Sequence, residues 1–133
     1  MHSPKYLVDT NVILARTNYR DYDEMVFPKY WKNFDKLVNE GIIISTISVS
    51  NEIKDLVERN EVDDKILIWV KNNSHMFKLP SDSKYTAETK NIKRELPGWY
   101  QRNKFYADWD LVVYAKAYNL ILVTQEKPNF NKK

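Results

Sequence analysis

Short apolar runs alternate along this chain with longer stretches in which apolar residues recur every three or four positions. An uninterrupted apolar run predicts a buried strand, because a strand covered on both faces shows no alternation of apolar and polar residues. We expect strands at residues 6–8, 42–44, 76–79 and 120–124, and the last of these runs is the clearest.

The stretches between these runs predict helices. Pro28 suits the first position of a helix, Trp31 and Phe34 begin its apolar face, and Gly41 suits its C-terminal stop. Further helices are predicted after Thr10 or Asn11 as N-cap, after Ser48 or Ser50, over 63–71 and 81–96, and after Asp108 as N-cap. Pro97 and Gly98 are expected to break the helix over 81–96.

Strands that alternate with helices predict an α/β fold, with a parallel sheet covered by helices on both faces. A chain of 133 residues with 43% hydrophobic and 29% charged residues is expected to form one domain over 1–133. The absence of cysteine excludes disulfides, thiolate metal sites and cysteine nucleophiles. The N-terminal residues do not resemble a signal peptide, and no apolar run reaches about 18 residues. We therefore expect a cytoplasmic protein without a membrane segment.

Four acidic residues occupy comparable places in this pattern. Asp9 directly follows the first strand, Glu126 comes two residues after the last run, and Glu52 and Asp108 lie near predicted helix starts. The carboxyl ends of parallel strands meet at one edge of a sheet, so these acids can converge there. Glu52 and Asp108 also have a structural interpretation, because acids are favourable near helix N-termini. Asp9 is harder to dismiss, since a carboxylate at the mouth of a buried strand must be solvated, paired or ligated.

A cluster of carboxylates is expected to hold a cation, because without one the like charges repel each other. Oxygen ligands favour Mg²⁺ or Mn²⁺ over Zn²⁺, and the two histidines, His2 and His75, are poor ligand candidates at a terminus and in a surface loop. A hard cation in such a site is suited to phosphoryl chemistry. The net charge of +3 is compatible with a polyanionic partner.

The chain resembles the PIN-domain nucleases, which are small Mg²⁺- or Mn²⁺-dependent ribonucleases often found as toxins of toxin–antitoxin pairs. The resemblance covers nearly the whole chain. It rests on Leu7-Val8-Asp9-Thr10-Asn11-Val12, Ser50-Asn51-Glu52-Ile53, and Ala107-Asp108-Trp109-Asp110-Leu111-Val112-Val113-Tyr114-Ala115 followed by Leu122-Val123-Thr124-Gln125-Glu126. Pro28-x-x-Trp31 and Thr124-Gln125-Glu126 look most like a group of small uncharacterised PIN-like proteins. The resemblance implies a three-layer α/β/α fold with about four parallel strands in the order 3-2-1-4.

The resemblance also implies roles for individual residues. Asp9, Glu52 and Asp108 match the three family acids, and Glu126 takes a fourth place where the family usually has Asp. Thr10 and Asn11 match residues that would orient Asp9, and Thr124 matches a hydroxyl that lines the site. In the family mechanism a water molecule attacks the scissile phosphate without a covalent enzyme intermediate. Few residues follow Glu126, where the family usually continues with another strand and helix.

Asp110 and the basic, aromatic segment 99–106 each have two interpretations. Asp110 is expected to be a first-turn helix acid rather than a ligand, because it lies about 200° round the helix from Asp108. Arg102 and Lys104 are candidates for contacts with RNA phosphates, whereas core packing is favoured over base stacking for the aromatic residues.

The stretch from Tyr19 to Tyr30 is a candidate lid or surface for an antitoxin, and the family is commonly homodimeric.

The chain lacks residues that two other functions require, and a third function stays open. An aspartyl phosphatase needs a second acid two residues after the first, and Asn11 stands there. A dinucleotide-binding or P-loop site needs more glycines than Gly41 and Gly98, which are the two in the chain. A non-catalytic PIN-like module that acts by binding protein or RNA remains the alternative to a nuclease.

Overall fold

The protein contains a four-stranded parallel sheet in the order β3-β2-β1-β4. The computed structural model describes residues 3–18, 23–79, 82–103 and 107–124, without the side chains of residues 18, 102, 103, 107 and 108. The strands are β1 (Tyr6–Val8), β2 (Ile43–Thr46), β3 (Phe77–Lys78) and β4 (Ile121–Val123). The predicted strand order 3-2-1-4 is therefore confirmed.

Seven α-helices occur within the described ranges, and with the sheet they form a three-layer α/β/α fold. They are α1 (Thr10–Asn18), α2 (Pro28–Asn39), α3 (Ile47–Glu58), α4 (Lys65–Asn72), α5 (Ser83–Glu95), α6 (Pro97–Asn103) and α7 (Ala107–Tyr118). A 3-10 turn, Ser74–Met76, leads into β3. No helix in these ranges is both long enough and apolar enough to cross a membrane.

The main hydrophobic core surrounds the two central strands, β1 and β2. Leu7 and Ile44 pair across these strands and are almost fully buried. The predicted apolar face of α2 is confirmed, since Trp31, Phe34 and Val38 are buried in the same core. A second, smaller core joins α5 to α7 and consists of Ile92, Trp109 and Val113, with Trp99 and Tyr100 of α6 packed against it.

Strand β4 differs from the expectation that each apolar run is a buried strand. The side chains of Ile121 and Leu122 are 51% and 37% exposed. Among the described residues β4 pairs only with β1, so it forms an edge of the described sheet. The apolar run at 120–124 thus predicted the strand correctly but not its burial.

Helix α1 begins at Thr10, one of the two residues that were predicted to cap it. Thr10 is already helical, and Oδ1 of Asp9 accepts a hydrogen bond of 3.2 Å from the backbone N–H of Val12. This is the geometry of an N-cap, so Asp9 takes the capping place that we predicted for Thr10 or Asn11. The helix therefore begins immediately at the end of the strand.

Two other predicted helix starts are also wrong. Helix α3 follows β2 directly, with Thr46 as its extended N-cap, so Ser48 and Ser50 lie inside the helix. Helix α7 begins at Ala107, which makes Asp108 its second residue and not its cap. Strand β2 also extends beyond its apolar run to Ser45 and Thr46, which are both buried in the sheet, so α3 starts later than the end of that run.

The C-terminal stops are closer to expectation. Gly41 has a φ of 80°, and the Ile42 N–H bonds the carbonyl of Leu37 at 2.9 Å, which closes α2 as predicted. Helix α5 ends at Glu95, before the predicted break at Pro97 and Gly98. Pro97 also begins the unpredicted helix α6, because proline is well suited to the first helical position.

Candidate functional site

Asp9 lies where the central strand β1 reaches the carboxyl edge of the sheet. The side chain is buried, with 7% of the residue exposed. Leu7 pairs with Ile44 and Val8 pairs with Val123, so continuing this register places Asp9 level with Thr46 and Thr124. The ends of three neighbouring strands therefore meet at Asp9, as expected for a site at this edge.

The carboxylate of Asp9 is held at both of its oxygens. Oδ1 accepts the hydrogen bond from the Val12 N–H, and Oδ2 accepts one from the Thr124 hydroxyl. The Asp9 N–H donates to the Val123 carbonyl at 3.2 Å. The start of a helix favours negative charge, so these contacts stabilise a carboxylate and fix its orientation.

Thr46 provides a second polar group at the same level of the sheet. It is fully buried, and its hydroxyl has no hydrogen-bond partner among the described residues. The neighbouring Ser45 hydroxyl, in contrast, donates to the Val8 carbonyl at 2.7 Å. A buried hydroxyl without a partner costs about 1–3 kcal/mol, so the Thr46 hydroxyl marks a position where a water molecule or a ligand atom would be stabilised.

Glu52 lies on α3, one helical turn after Ser48. Its side chain is exposed. Since α3 begins directly after β2, its first turns lie at the carboxyl edge that carries Asp9. The structure therefore places Glu52 on an element adjacent to the candidate site.

Helix α7 also begins at this edge, because it leads into β4 and a helix that precedes a parallel strand runs back across the sheet. Asp108 is in its first turn, but the Asp108 side chain lies outside the described residues. So do Glu126, Lys104 and the side chain of Arg102. Among the side chains that the structure describes, no group of three His, Asp or Glu could hold a metal ion.

Asp110 is in the first turn of α7, and both of its carboxylate oxygens accept hydrogen bonds. The Ser48 hydroxyl of α3 donates to Oδ2, and the Tyr85 hydroxyl of α5 donates to Oδ1. Burial raises the pKa of Tyr85 well above its usual range, and the hydrogen bond to Asp110 and the charge of Asp110 raise it further. Asp110 therefore joins α3, α5 and α7. Both of its carboxylate oxygens already accept hydrogen bonds from hydroxyl groups, which agrees with the prediction that it is a helix acid and not a ligand.

These partners of Asp110 were not found from the sequence. Ser48 is predicted as a candidate helix cap, and the sequence pattern gives no sign that Tyr85 contacts an acid. The contacts join residues 62 and 25 positions apart, and no local pattern marks such a pair.

The other predicted neighbours of the site have different surroundings. Thr10 is buried as the first residue of α1, and Asn11 is half-buried beside it. The two hydrogen bonds shown for the Asp9 side chain come from the Val12 N–H and the Thr124 hydroxyl.

Trp99 packs against Trp109, with ring centroids 5.5 Å apart, which agrees with core packing rather than stacking on bases. Phe105 and Tyr106 lie outside the described residues.

The fold and this geometry define an α/β protein with a candidate site at the carboxyl edge of a parallel sheet. Residues 6–133 match the family model described as "Domain of unknown function (DUF4411)". The chain therefore belongs to the DUF4411 family. No curated protein and no solved structure matches the chain.

Proposed function

We propose that this protein is a Mg²⁺- or Mn²⁺-dependent endoribonuclease of the PIN-like type, which hydrolyses RNA phosphodiester bonds. The observation that carries this proposal is the buried carboxylate of Asp9 at the end of the central strand. It is oriented by the start of α1 and by the Thr124 hydroxyl from the neighbouring strand. No described Lys or Arg side chain forms an ion pair with it, so a bound cation would supply the missing positive charge.

The chemistry of the four predicted acids fits a hard divalent cation. Asp9, Glu52, Asp108 and Glu126 would hold it, and all four supply the carboxylate oxygens that Mg²⁺ and Mn²⁺ prefer. The unpartnered, buried hydroxyl of Thr46 supports a hydrated ligand at the level of Asp9. When bound, the ion offsets negative charge on the phosphoryl group and orients the attacking water.

The protein's own groups set the geometry of this site. Val12 and Thr124 hold Asp9 in one orientation, and Asp110 binds the start of α7 to Ser48 of α3. The second contact keeps the helices that carry Glu52 and Asp108 in register with each other. Arg102 and Lys104 would neutralise phosphates of the RNA on the approach to the site.

We further propose that the protein acts in the cytoplasm as the toxin of a type II toxin–antitoxin pair, and that it forms a homodimer. The stretch from Tyr19 to Tyr30 is the proposed surface for the antitoxin, and its residues 19–22 lie outside the described residues. Within it, the side chains of Met25 and Val26 are 87% and 63% exposed, and exposed apolar residues of this kind support a protein contact.

The proposal is tested by cleavage of a fluorescently labelled single-stranded RNA in Mn²⁺, in Mg²⁺ and in EDTA. We expect cleavage with either metal and none in EDTA. Asp9→Asn is expected to reduce the rate at least about 100-fold, since even residues that only support metal ligands cost 10- to 100-fold. The fold is retained, because Asn caps a helix as well as Asp does.

The matched control is Asp55→Asn, which removes an exposed acid of α3 whose ion pair is with Arg59. It is expected to cleave at the wild-type rate. Equal cleavage by Asp9→Asn and wild type would overturn the proposal. Absence of cleavage by wild type with both metals would do the same and would favour the non-catalytic module.

A further inference from the structure

A cavity of about 580 Å³ lies between α3, α4 and β3. Leu67 and Val70 of α4 form part of its apolar wall, together with Phe77 of β3. Val70 and Phe77 are 3% and 8% exposed, so this wall is part of the packed core. The volume falls within the range of about 300–1,000 Å³ that is usual for small-molecule sites.

The polar part of the lining consists of side chains that can donate hydrogen bonds, and two of these side chains are positively charged. Its members are Ser50, Asn51 and Lys54 of α3, Lys71 of α4, and Ser74 of the 3-10 turn. None of these five side chains forms a hydrogen bond or an ion pair within the part of the chain that the structure describes. No acidic residue lines the cavity. A complementary ligand therefore has an apolar body and a negatively charged group.

The cavity begins near the carboxyl edge of the sheet, at the first turns of α3, and extends away from that edge, because Lys71 and Ser74 come before β3 in the chain. Its polar residues Ser50 and Asn51 directly precede Glu52 on α3. Phe77 pairs with Ser45, one residue before the end of β2. Strand β3 is two strand positions from β1, which is about 10 Å at the usual strand spacing. A chain molecule with its reacting phosphate at Asp9 can thus follow α3 and place one of its nearby units in the cavity.

We propose that this cavity binds one nucleotide unit of the RNA near the cleavage site. The base lies against the apolar wall, and Lys54 and Lys71 bind the phosphate from the two helices. Ser50, Asn51 and Ser74 supply hydrogen bonds to the acceptors of the base and ribose. The assignment to RNA rests on the proposed function, whereas binding of a nucleotide by the cavity does not require cleavage.

The first measurement is an NMR titration of the isotope-labelled wild-type protein with AMP, with UMP and with inorganic phosphate. Both nucleotides are expected to shift backbone amides on α3, on α4 and around Phe77. Inorganic phosphate is expected to shift them much less, because it lacks the apolar body. No shift around the cavity with either nucleotide would overturn the inference.

The second measurement is fluorescence anisotropy of a labelled single-stranded RNA in EDTA, where cleavage is stopped. The double variant Lys54→Gln/Lys71→Gln is expected to bind RNA at least tenfold more weakly than wild type. The control Lys32→Gln/Lys36→Gln removes the same charge from exposed positions of α2 and is expected to lose less than threefold. Circular dichroism checks that both double variants fold.

Together, the NMR titration and the RNA-binding measurement distinguish a free nucleotide from RNA as the ligand. They also test the nucleotide site separately from the proposed nuclease activity. If AMP binds the cavity but RNA binding is unchanged in Lys54→Gln/Lys71→Gln, the ligand is a free nucleotide and the RNA assignment is wrong. If an acidic peptide shifts these amides and nucleotides do not, the cavity binds protein and the inference is wrong. Nucleotide binding without any RNA cleavage overturns the proposed nuclease but not the nucleotide site.

Discussion

Helix α1 is buried along most of its length, so the charged residues at its two ends must be compensated inside the protein. Asp9 caps its start. Arg16, in its last turn, is 6% exposed and donates from both Nη atoms to Asp35, at 2.6 and 2.9 Å. Its guanidinium carbon lies 4.9 and 5.0 Å from the ring centroids of Trp31 and Trp69.

This surrounding keeps Arg16 charged. Burial lowers the pKa of Arg16, but the hydrogen bonds and charges of Asp35 and Glu24 outweigh burial, and the net pKa is raised. The Nε atom donates to Glu24 at 2.9 Å, so the guanidinium joins three segments of the chain. A planar fork between two indole rings is specific to arginine.

Arg16→Lys is therefore expected to destabilise the protein although the charge is retained. Lysine cannot form the paired hydrogen bonds or lie flat between the rings, and we expect a loss of about 2–3 kcal/mol in the free energy of unfolding. Urea unfolding measures it. Arg59→Lys, at an arginine whose pairs with Asp55 and Glu61 are exposed, should cost less than about 0.5 kcal/mol. Equal losses in the two variants would contradict this account.

The Thr124 hydroxyl supports Asp9 from the neighbouring strand. Thr124→Val keeps the shape of the side chain but removes this donor, and we expect RNA cleavage to slow about 10- to 100-fold. Thr124→Ser retains the donor and should cleave within about threefold of wild type. The Mn²⁺ concentration for half-maximal cleavage should rise in Thr124→Val alone. An unchanged metal dependence in both variants would mean that Thr124 does not act through Asp9.

At the scale of elements, the sheet places the starts of α3 and α7 at one edge, and Asp110 connects them. Ser48 of α3 and Tyr85 of α5 both donate to this carboxylate from α7. A half-buried acid with two hydroxyl partners fixes the relative positions of three helices. Residues other than the four predicted ligands therefore help to position the helices that carry Glu52 and Asp108.

This connection predicts a pH dependence at the alkaline end. The folded protein keeps the Tyr85 phenol neutral because its pKa is raised, whereas the unfolded chain releases that proton above about pH 10. The contribution to stability is thus complete below pH 10 and is lost as the pH rises further. Tyr85→Phe cannot titrate, so above pH 10 the unfolding free energy of wild type should fall more steeply than that of the variant, by at most about 1.4 kcal/mol per pH unit.

Urea unfolding of wild type and Tyr85→Phe between pH 8 and pH 11 measures the two slopes. At pH 8 the variant is expected to be less stable by about 1–2 kcal/mol, because Asp110 loses one donor. Parallel slopes in the two proteins would show that Tyr85 is not held neutral by the fold.

At the scale of the whole molecule, the position of a strand in the sheet decides how much its apolar residues contribute. Leu7 on the central strand is completely buried, whereas Leu122 on β4 is 37% exposed. The two residues pair with each other across the sheet. The same substitution at the two positions therefore compares a central strand with an edge strand.

Leu7→Ala is expected to cost about 3–5 kcal/mol, because it leaves a cavity in the main core. Leu122→Ala is expected to cost less than about 1.5 kcal/mol, since water already reaches that side chain. Urea unfolding at neutral pH measures both. Equal costs would show that the exposed side of β4 is covered in solution.

The sequence alone predicted the parts of the fold that depend on local pattern. Apolar runs placed all four strands, and the apolar positions of α2 predicted its buried face, because burial of a helix face or a strand imposes a short period on the chain. The strand order was predicted from a family resemblance carried by a few motifs. The position of Asp9 at the end of β1 followed from the same local pattern.

Tertiary structure decided what local pattern does not encode. The exposure of β4, the hydroxyl partners of Asp110, the unpartnered hydroxyl of Thr46 and the cavity between α3 and α4 all depend on contacts between residues distant in the chain. Even the cap of α1 depended on the sheet, because Asp9 takes that place only when the helix starts directly at the strand end. Periodicity reports which side of an element is covered, whereas packing alone decides what covers it.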